Sequence, residues 1–302
     1  MLLSSPPSDA KALQGVHDRL QAMPLLYIDG ANYIDNTDPK WEVYLAFVHS
    51  GTAAAEKHLA GFCTVYSFYA YPARRRLRLS QILVFPPFQR RGIASKILEQ
   101  VYARARECGA LDLTVEDPSE AFQLLRESVD VKRIVGSSSF YVDAVEDLLS
   151  KSKLMLSNGI RADTLLLPTR AVYERAEREL KIHKAQLRKV WEVLLLMRLK
   201  SSNWEDDGLV QRVVEQIVRA RLSSQESEKR LRDAARNKLV VDFKDDNFMM
   251  TKFVYLAPSQ QVKYEEPSEE DKAKSVAYDK DVIQTRMECL EKINQSLQSI
   301  EV

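Results

Sequence analysis

The run from Gln81 to Ser95, QILVFPPFQRRGIAS, constrains the fold more than any other part of the chain. An apolar strand stops at Pro86-Pro87, two arginines and one glycine follow, and a helical pattern begins at once. A strand that feeds a helix through so short a loop aims several backbone N–H groups and a helix N-terminus at one spot, which suits a phosphate group. The loop is not a P-loop, because no Gly-Lys-Ser or Gly-Lys-Thr follows. It also lacks two of the three glycines of the dinucleotide fingerprint.

The flanking pattern sets this loop in a βαβ unit. Trp41 to Val48 reads as a strand, and Gly61 to Tyr71 and Arg76 to Phe85 as two long strands around a Pro72–Arg75 turn. Leu77, Leu79 and Gln81 face one way. Beyond Gln81 the strand turns continuously apolar, which predicts burial on both faces. A helix is expected from about Ala94 to Glu107, with Ile93, Ile97, Leu98 and Val101 on one face and Gly109 placed to end it. Leu111 to Val115 is a short alternating strand. Asp117-Pro118-Ser119-Glu120 then reads as a helix start, with Asp117 as N-cap and Pro118 at the first helical position.

After about residue 160 the pattern is helical. Pro168 and Thr169 open a helix to about Leu180. A second runs from about Lys184 to Lys200, with Leu187, Val190, Trp191, Leu194 and Leu195 as its apolar face. A third helical stretch covers about 208–238. Residues 258–275 are rich in Pro, Ser, Gln and Glu and read as a solvated linker. Asp281 to Ile300 is amphipathic through Ile283, Met287, Leu290, Ile293, Leu297 and Ile300. The expected segments are a lead-in at 1–26, an α/β domain at 27–160, an α-helical module at 161–257, and a linker with an amphipathic helix at 258–302.

Composition narrows the function classes. Lys plus Arg is 44 against 43 for Asp plus Glu, so net charge makes no case for bulk binding to nucleic acid or membrane. Cys63, Cys108 and Cys289 are odd in number and far apart, with neither a disulfide framework nor a metal spacing, which points to a reducing compartment. His17, His49, His58 and His183 form no metal constellation. The start of the chain has no basic n-region or long h-region, and the longest apolar run, Val193 to Met197, is too short to span a bilayer. A soluble intracellular protein is the expectation.

Gln89-Arg90-Arg91-Gly92-Ile93-Ala94 resembles the Gln/Arg-x-x-Gly-x-Gly/Ala loop of the GNAT acetyltransferase superfamily, which holds the pyrophosphate of acetyl-CoA. Other stretches resemble the type B histone acetyltransferase catalytic subunit more specifically: Tyr27 to Asp35 with Trp41, Thr64 to Pro72, Ser80 to Gln89, and Leu111 to Ser119. The helical stretch from Leu180 to Leu199 is similar to the same family. The resemblance covers roughly residues 15–240. It implies a mixed, splayed central sheet of GNAT type followed by the α-helical module. It also implies acetyl transfer from acetyl-CoA, without a metal, to lysines in the N-terminal tail of newly made histone H4. A WD-repeat histone-binding chaperone subunit would be the partner, and the location cytoplasmic and nuclear, with no direct nucleic-acid or membrane binding. The family carries a further N-terminal domain that helps hold the H4 tail. Only a short lead-in precedes the match here, so that part is expected to be absent or replaced.

The chemistry asks for a base. A free lysine has a pKa of about 10.4, so deprotonation at pH 7 costs roughly 4–5 kcal/mol. A carboxylate placed to take that proton is the expected general base. The resemblance assigns that role to Glu116, which by its residues alone reads as a solvated carboxylate at a strand–helix junction. Asp117 is a second acid by resemblance and a helix N-cap by local sequence, and the local sequence favours the cap. Asp29 aligns with an acidic position usually filled by Glu, and because Gly30 follows it, a plain turn is equally consistent.

The resemblance further implies that the backbone of Ile82, Leu83 and Val84 bonds the pantetheine arm and the thioester carbonyl, with the oxyanion donor near Leu83. Gln89, Arg90, Arg91, Gly92, Ile93, Ala94 and Ser95 would hold the pyrophosphate. Tyr66, Ser67 and Phe68 would touch the histone tail, although an alternating aromatic strand is also ordinary sheet surface. Neither Cys63 nor Cys108 has a His in a catalytic pattern, so direct transfer is preferred over an acyl-cysteine route. Two rivals stand beside this reading: a GNAT enzyme for another protein or a small amine, and a non-catalytic histone- or chaperone-binding scaffold.

Overall fold

A computed structural model describes residues 2–3, 10–35, 37–49, 57–157, 167–201, 215–216 and 269–297. In chain order the elements are β1 (Leu2–Leu3), α1 (Ala10–Leu20), α2 (Ala22–Tyr27), β2 (Trp41–His49), β3 (Lys57–Ala70), β4 (Arg74–Val84), α3 (Ile93–Glu107), β5 (Leu113–Val115), α4 (Glu120–Ser137) and α5 (Ser139–Ser157). They are followed by α6 (Arg170–Arg175), α7 (Lys184–Ser201) and α8 (Glu269–Leu297). The chain divides into two compact units. One comprises Met1–Val145, Pro168–Leu194 and Ile293–Val302; the other comprises Glu146–Leu167 and Leu195–Lys292.

The first unit holds a mixed five-stranded sheet in the order β1-β2-β3-β4-β5. β1 to β4 pair antiparallel, and β5 joins β4 in parallel at Leu77↔Leu113, Arg78↔Thr114 and Leu79↔Val115. Side chains alternate across a strand, so register assigns the faces. Trp41, Tyr66, Phe68, Arg76, Arg78, Asp112 and Thr114 share one face. Leu45, Phe62 and Leu83 continue that face and form a buried cluster covered by Leu20 and Met23 of α1 and α2. The opposite face carries Val65, Leu77 and Leu79, and α3 packs there through Ile97, Leu98, Val101 and Tyr102. Gly61 is required where β3 and β4 close on each other, because a Cβ at that position would run into the Leu83 carbonyl oxygen.

Several local features differ from the sequence expectation. Residues 1–26 were expected to lack definition, yet they carry α1 and most of α2, which reach the core because Leu20 and Met23 complete an apolar cluster. β4 does not become buried on both faces after Gln81. Leu83 is buried, while Ile82 and Val84 stay half-exposed, because β5 stops pairing at Leu79. β5 itself spans Leu113–Val115, although the Leu111 amide and the Asp112 carbonyl still bond the β4 backbone at Arg75 and Leu77.

The cap of α4 is Ser119, whose side chain accepts a hydrogen bond from the Phe122 amide at 3.3 Å. Asp117, expected as the cap, lies two residues earlier with φ +31°. α7 has the expected span, but Val193, Leu196, Met197 and Leu199 are buried along with the predicted face, so this helix is wrapped nearly all round. α8 begins at Glu269, so the last seven residues of the stretch read as a linker, 269–275, are helical. Its Ile283, Leu290, Ile293 and Leu297 are buried as the amphipathic pattern requires. The stretch expected at 208–238 lies outside the described residues apart from 215–216.

Candidate active site

The site begins where β4 and β5 part. The last rung between them is the Glu116 amide donating to the Leu79 carbonyl at 3.0 Å. At the same place the β3–β4 register slips: Thr64 opposes Gln81 while Val65 opposes Leu79, leaving Ser80 as the extra residue of a β-bulge. Beyond the bulge the backbone direction is fixed by two bonds toward β3, from the Gln81 amide to Thr64 Oγ1 at 3.2 Å and from the Phe85 amide to the Ala60 carbonyl at 2.9 Å. Alternation then turns Leu83 toward β3 as well, and turns Ile82 and Val84 toward the side β5 has left. The amides turned to the gap are therefore those of Ile82 and Val84, because Leu83 is spent on its partner Phe62.

The loop after β4 ends in a short 3₁₀ turn at Pro86–Phe88. The Gln89 side chain donates back to the Val84 carbonyl at 2.9 Å, which pins the loop to the strand it leaves. Arg90 has φ +57° and Gly92 φ +73°, so the loop twice enters the left-handed region just before α3. No side chain caps Gly92, and the first α3 rung is Lys96 N–H to the Gly92 carbonyl at 3.1 Å. The amides of Ile93, Ala94 and Ser95 precede that rung and have no partner within the helix. Arg90 and Arg91 are exposed at the same loop. The residues from Gln89 to Ser95 that the sequence singled out lie together here, in a cradle of backbone amides of the kind that suits an anion. Among the described residues no cluster of His, Cys, Asp and Glu could hold a metal ion.

Glu116 lies on the face of Tyr66, Phe68 and Arg78. It is exposed, and Ser80 Oγ donates to its Oε2 at 2.7 Å. The aromatic stripe beside it is continuous: Trp41 meets Tyr66 edge-on at 4.8 Å, Tyr66 meets Phe68 at 4.6 Å, and the Arg78 guanidinium lies 4.6 Å above Phe68. Ser67 does not belong to this stripe. Its register partner is Leu77, so its side chain is directed to the α3 face, and only its backbone is tied nearby, through an amide bond to the Lys40 carbonyl at 3.0 Å.

The 27–40 segment crosses the same face. Gln81 Nε2 holds the Asn32 carbonyl at 2.8 Å, and Tyr66 Oη donates to Asp38 Oδ2 at 3.1 Å. Asp29 occupies a turn closed by the Ala31 amide on the Ile28 carbonyl at 3.2 Å, with Gly30 at φ +72° in the position that needs it. Asp29 and Asp117 are both exposed. Cys63 is fully buried, and burial pushes its thiol well above the ordinary range, so it is no nucleophile.

Sequence reasoning missed Ser80 and Gln81 as site residues. Their signal was two polar residues, Ser80-Gln81, interrupting an otherwise apolar strand end. It also missed what anchors β5 from behind. Arg126, buried on α4, donates to the Leu113 carbonyl at 2.9 Å, and the Leu113 amide bonds the Lys181 carbonyl at 2.8 Å. The Arg76–Asp112 pair, with Nε–Oδ1 at 2.5 Å and Nη2–Oδ2 at 2.9 Å, fixes the other end of the strand.

Residues 20–123 match the Acetyltransferase (GNAT) family. The chain is similar to the histone acetyltransferase type B catalytic subunit of Arabidopsis thaliana, 37% identical over 185 residues, which is 61% of this chain and 39% of the relative. It is similar to the subunit of the same name from Zea mays, 34% identical over 62% of this chain and 40% of the relative. The Homo sapiens subunit is 32% identical over 63% of this chain and 41% of the relative. The chain thus spans about two fifths of the length of these curated relatives. The likeness to the GNAT acetyltransferases thus falls on residues 20–123, the part of the chain that holds the splayed β4–β5 pair and the uncapped N-terminus of α3.

Proposed function

We propose that the protein acetylates histone lysines, using acetyl-CoA as donor, and that its substrate is the N-terminal tail of newly made histone H4. The observation that carries this reading is the placement of Glu116. Its carboxylate stands on the open sheet face, at the mouth of the β4–β5 gap, on the strand pair that leads into the anion cradle. The names of the relatives supply the histone, and the site supplies the chemistry.

The residues present fit acetyl-CoA. The Ile93, Ala94 and Ser95 amides would take the pyrophosphate, with Arg90 and Arg91 adding charge, and the outward edge of β4 at Ile82 and Val84 would take the pantetheine arm. When bound, acetyl-CoA supplies an acetyl group on a thioester. Glu116 would accept the proton that the lysine amine must lose as it attacks, a loss that costs roughly 4–5 kcal/mol at pH 7 for a free lysine. An outward amide of β4 would donate to the thioester carbonyl oxygen. Ser80 keeps the Glu116 carboxylate turned to the gap. Tyr66, Phe68 and Trp41 form the wall along which the peptide would lie.

The reading extends to a WD-repeat histone-binding chaperone as partner and to a cytoplasmic and nuclear location, on the strength of the family likeness. A substrate panel tests it: H4 tail peptide, H3 tail peptide and polyamines are offered with acetyl-CoA. H4 peptide should be turned over fastest. Preference for a polyamine would remove the histone claim and leave a GNAT enzyme of another amine.

A further inference from the structure

A cavity of about 480 Å³ opens beside the turn of the β3–β4 hairpin; it shares Phe68 with the peptide wall and none of the residues given to acetyl transfer or to the cofactor. Its lining includes Lys40, Arg74, Arg75 and Arg104 against a single carboxylate, Glu42. That carboxylate is already spent. Arg104 grips it with Nε at 3.1 Å from Oε2 and Nη2 at 3.0 Å from Oε1, and Tyr44 Oη donates to Oε2 at 2.6 Å. Burial works against the charged form of Glu42, but these bonds outweigh it and hold the carboxyl below its usual range, so the pair stays ionised. Among the described residues no ion pair engages Lys40, Arg74 or Arg75. The Asp38 carboxylate is occupied by Tyr66 Oη at 3.1 Å and by the Lys40 amide at 2.9 Å.

We infer that this cavity binds a small polyanion carrying two or more phosphate groups. Lys40 and Arg74 make no ion pair among the described residues, and Arg75 shares with Arg104 the one carboxylate, Glu42, so positive charge is in excess around a space far larger than a water site. Guanidinium forks match phosphate oxygens two at a time. The cavity lies at the Arg74 end of β4, whereas the cradle follows Val84 at the other end. Eleven residues of strand separate the two, roughly 30 Å at about 3.3 Å per residue. One ligand of this size cannot serve both, so this is a second anion site.

Calorimetric titration of the full chain with inorganic tripolyphosphate tests the inference. Three proteins are compared: the parent, the double variant Lys40→Glu with Arg75→Glu, and the double variant Arg90→Ala with Arg91→Ala. The hairpin variant should lose affinity by about tenfold or more, and the loop variant should keep it. Thermal melting checks that the hairpin variant folds, and Lys40→Gln gives a milder second point. The inference is overturned if tripolyphosphate does not bind, or if only the loop variant loses binding. It is also overturned if a hexaglutamate peptide binds more tightly than tripolyphosphate, which would make the cavity a docking point for an acidic protein segment. None of these outcomes depends on acetyl transfer.

Discussion

Ser80 Oγ donates to Glu116 Oε2 at 2.7 Å, across the opening between two strands that have just ceased to pair. The bond exists because a β-bulge displaces Ser80 from the β3 ladder at the level where Glu116 leaves β5. If Glu116 is the base, Glu116→Gln should lower kcat by about 100- to 10,000-fold with acetyl-CoA affinity nearly unchanged. Ser80→Ala should lower kcat by about three- to tenfold, equivalent to one hydrogen bond, without moving the KM for acetyl-CoA. Steady-state kinetics with calorimetric binding separates the two terms. Full turnover by Glu116→Gln removes the general-base assignment.

Gly92 has open space around the position a Cβ would take, so only its φ of +73° demands glycine. Gly92→Ala should therefore cost about 1 kcal/mol in strain without a clash. Because the strain falls on the residue that aims the α3 amides, acetyl-CoA affinity should drop more than the melting temperature. Equal affinity in the variant would separate the cradle from cofactor binding.

The two candidate caps of α4 make opposite forecasts. Ser119→Ala should destabilise the fold by about 1 kcal/mol through the lost bond to the Phe122 amide. Asp117→Ala should cost less in urea unfolding, because its side chain caps nothing and only its φ of +31° resists alanine. A loss of activity in Asp117→Ala with intact stability would mark it as part of the chemistry.

Arg76 covers a fully buried carboxylate, Asp112, through two charged hydrogen bonds. Arg76→Ala should cost about 2–3 kcal/mol in urea unfolding, and Arg76→Lys should recover only part, since an ammonium cannot make the paired contact.

His183 approaches the same Asp112 at 4.0 Å. Burial holds its imidazole below the usual 6.5, against the pull of Asp112 and with Arg76, Lys184 and Arg126 also opposing the charge. The fold thus prefers neutral His183, and the unfolded chain takes up the proton first. The stabilisation is complete above pH 6.5 and is lost as pH falls from there through the folded-state value. The urea midpoint of the parent should decline between pH 7.5 and 5.5, and His183→Gln should flatten that decline. An unchanged slope in the variant would assign the decline to other groups.

The sequence by itself determined the strand–loop–helix unit, the positions of α3, α6 and α7, the stop at Gly109 and the amphipathic face of α8. Those features follow from hydrophobic period, proline and glycine, which act within a few residues and leave a direct mark. It also singled out the cradle, whose donors are backbone amides placed by local geometry alone. Only the tertiary structure decided the rest. Which amides of β4 face the gap depends on a one-residue slip against β3, and no local pattern announces a slip. That slip turns Leu83 away and exposes the edge at Ile82 and Val84. The grouping of Glu116 with Tyr66 and Phe68, to the exclusion of Ser67, is a matter of register between strands distant in sequence. Ser80 gained its place beside Glu116 for the same reason: a pairing across 36 residues is set by how the strands align, and that alignment is chosen by the whole packed sheet.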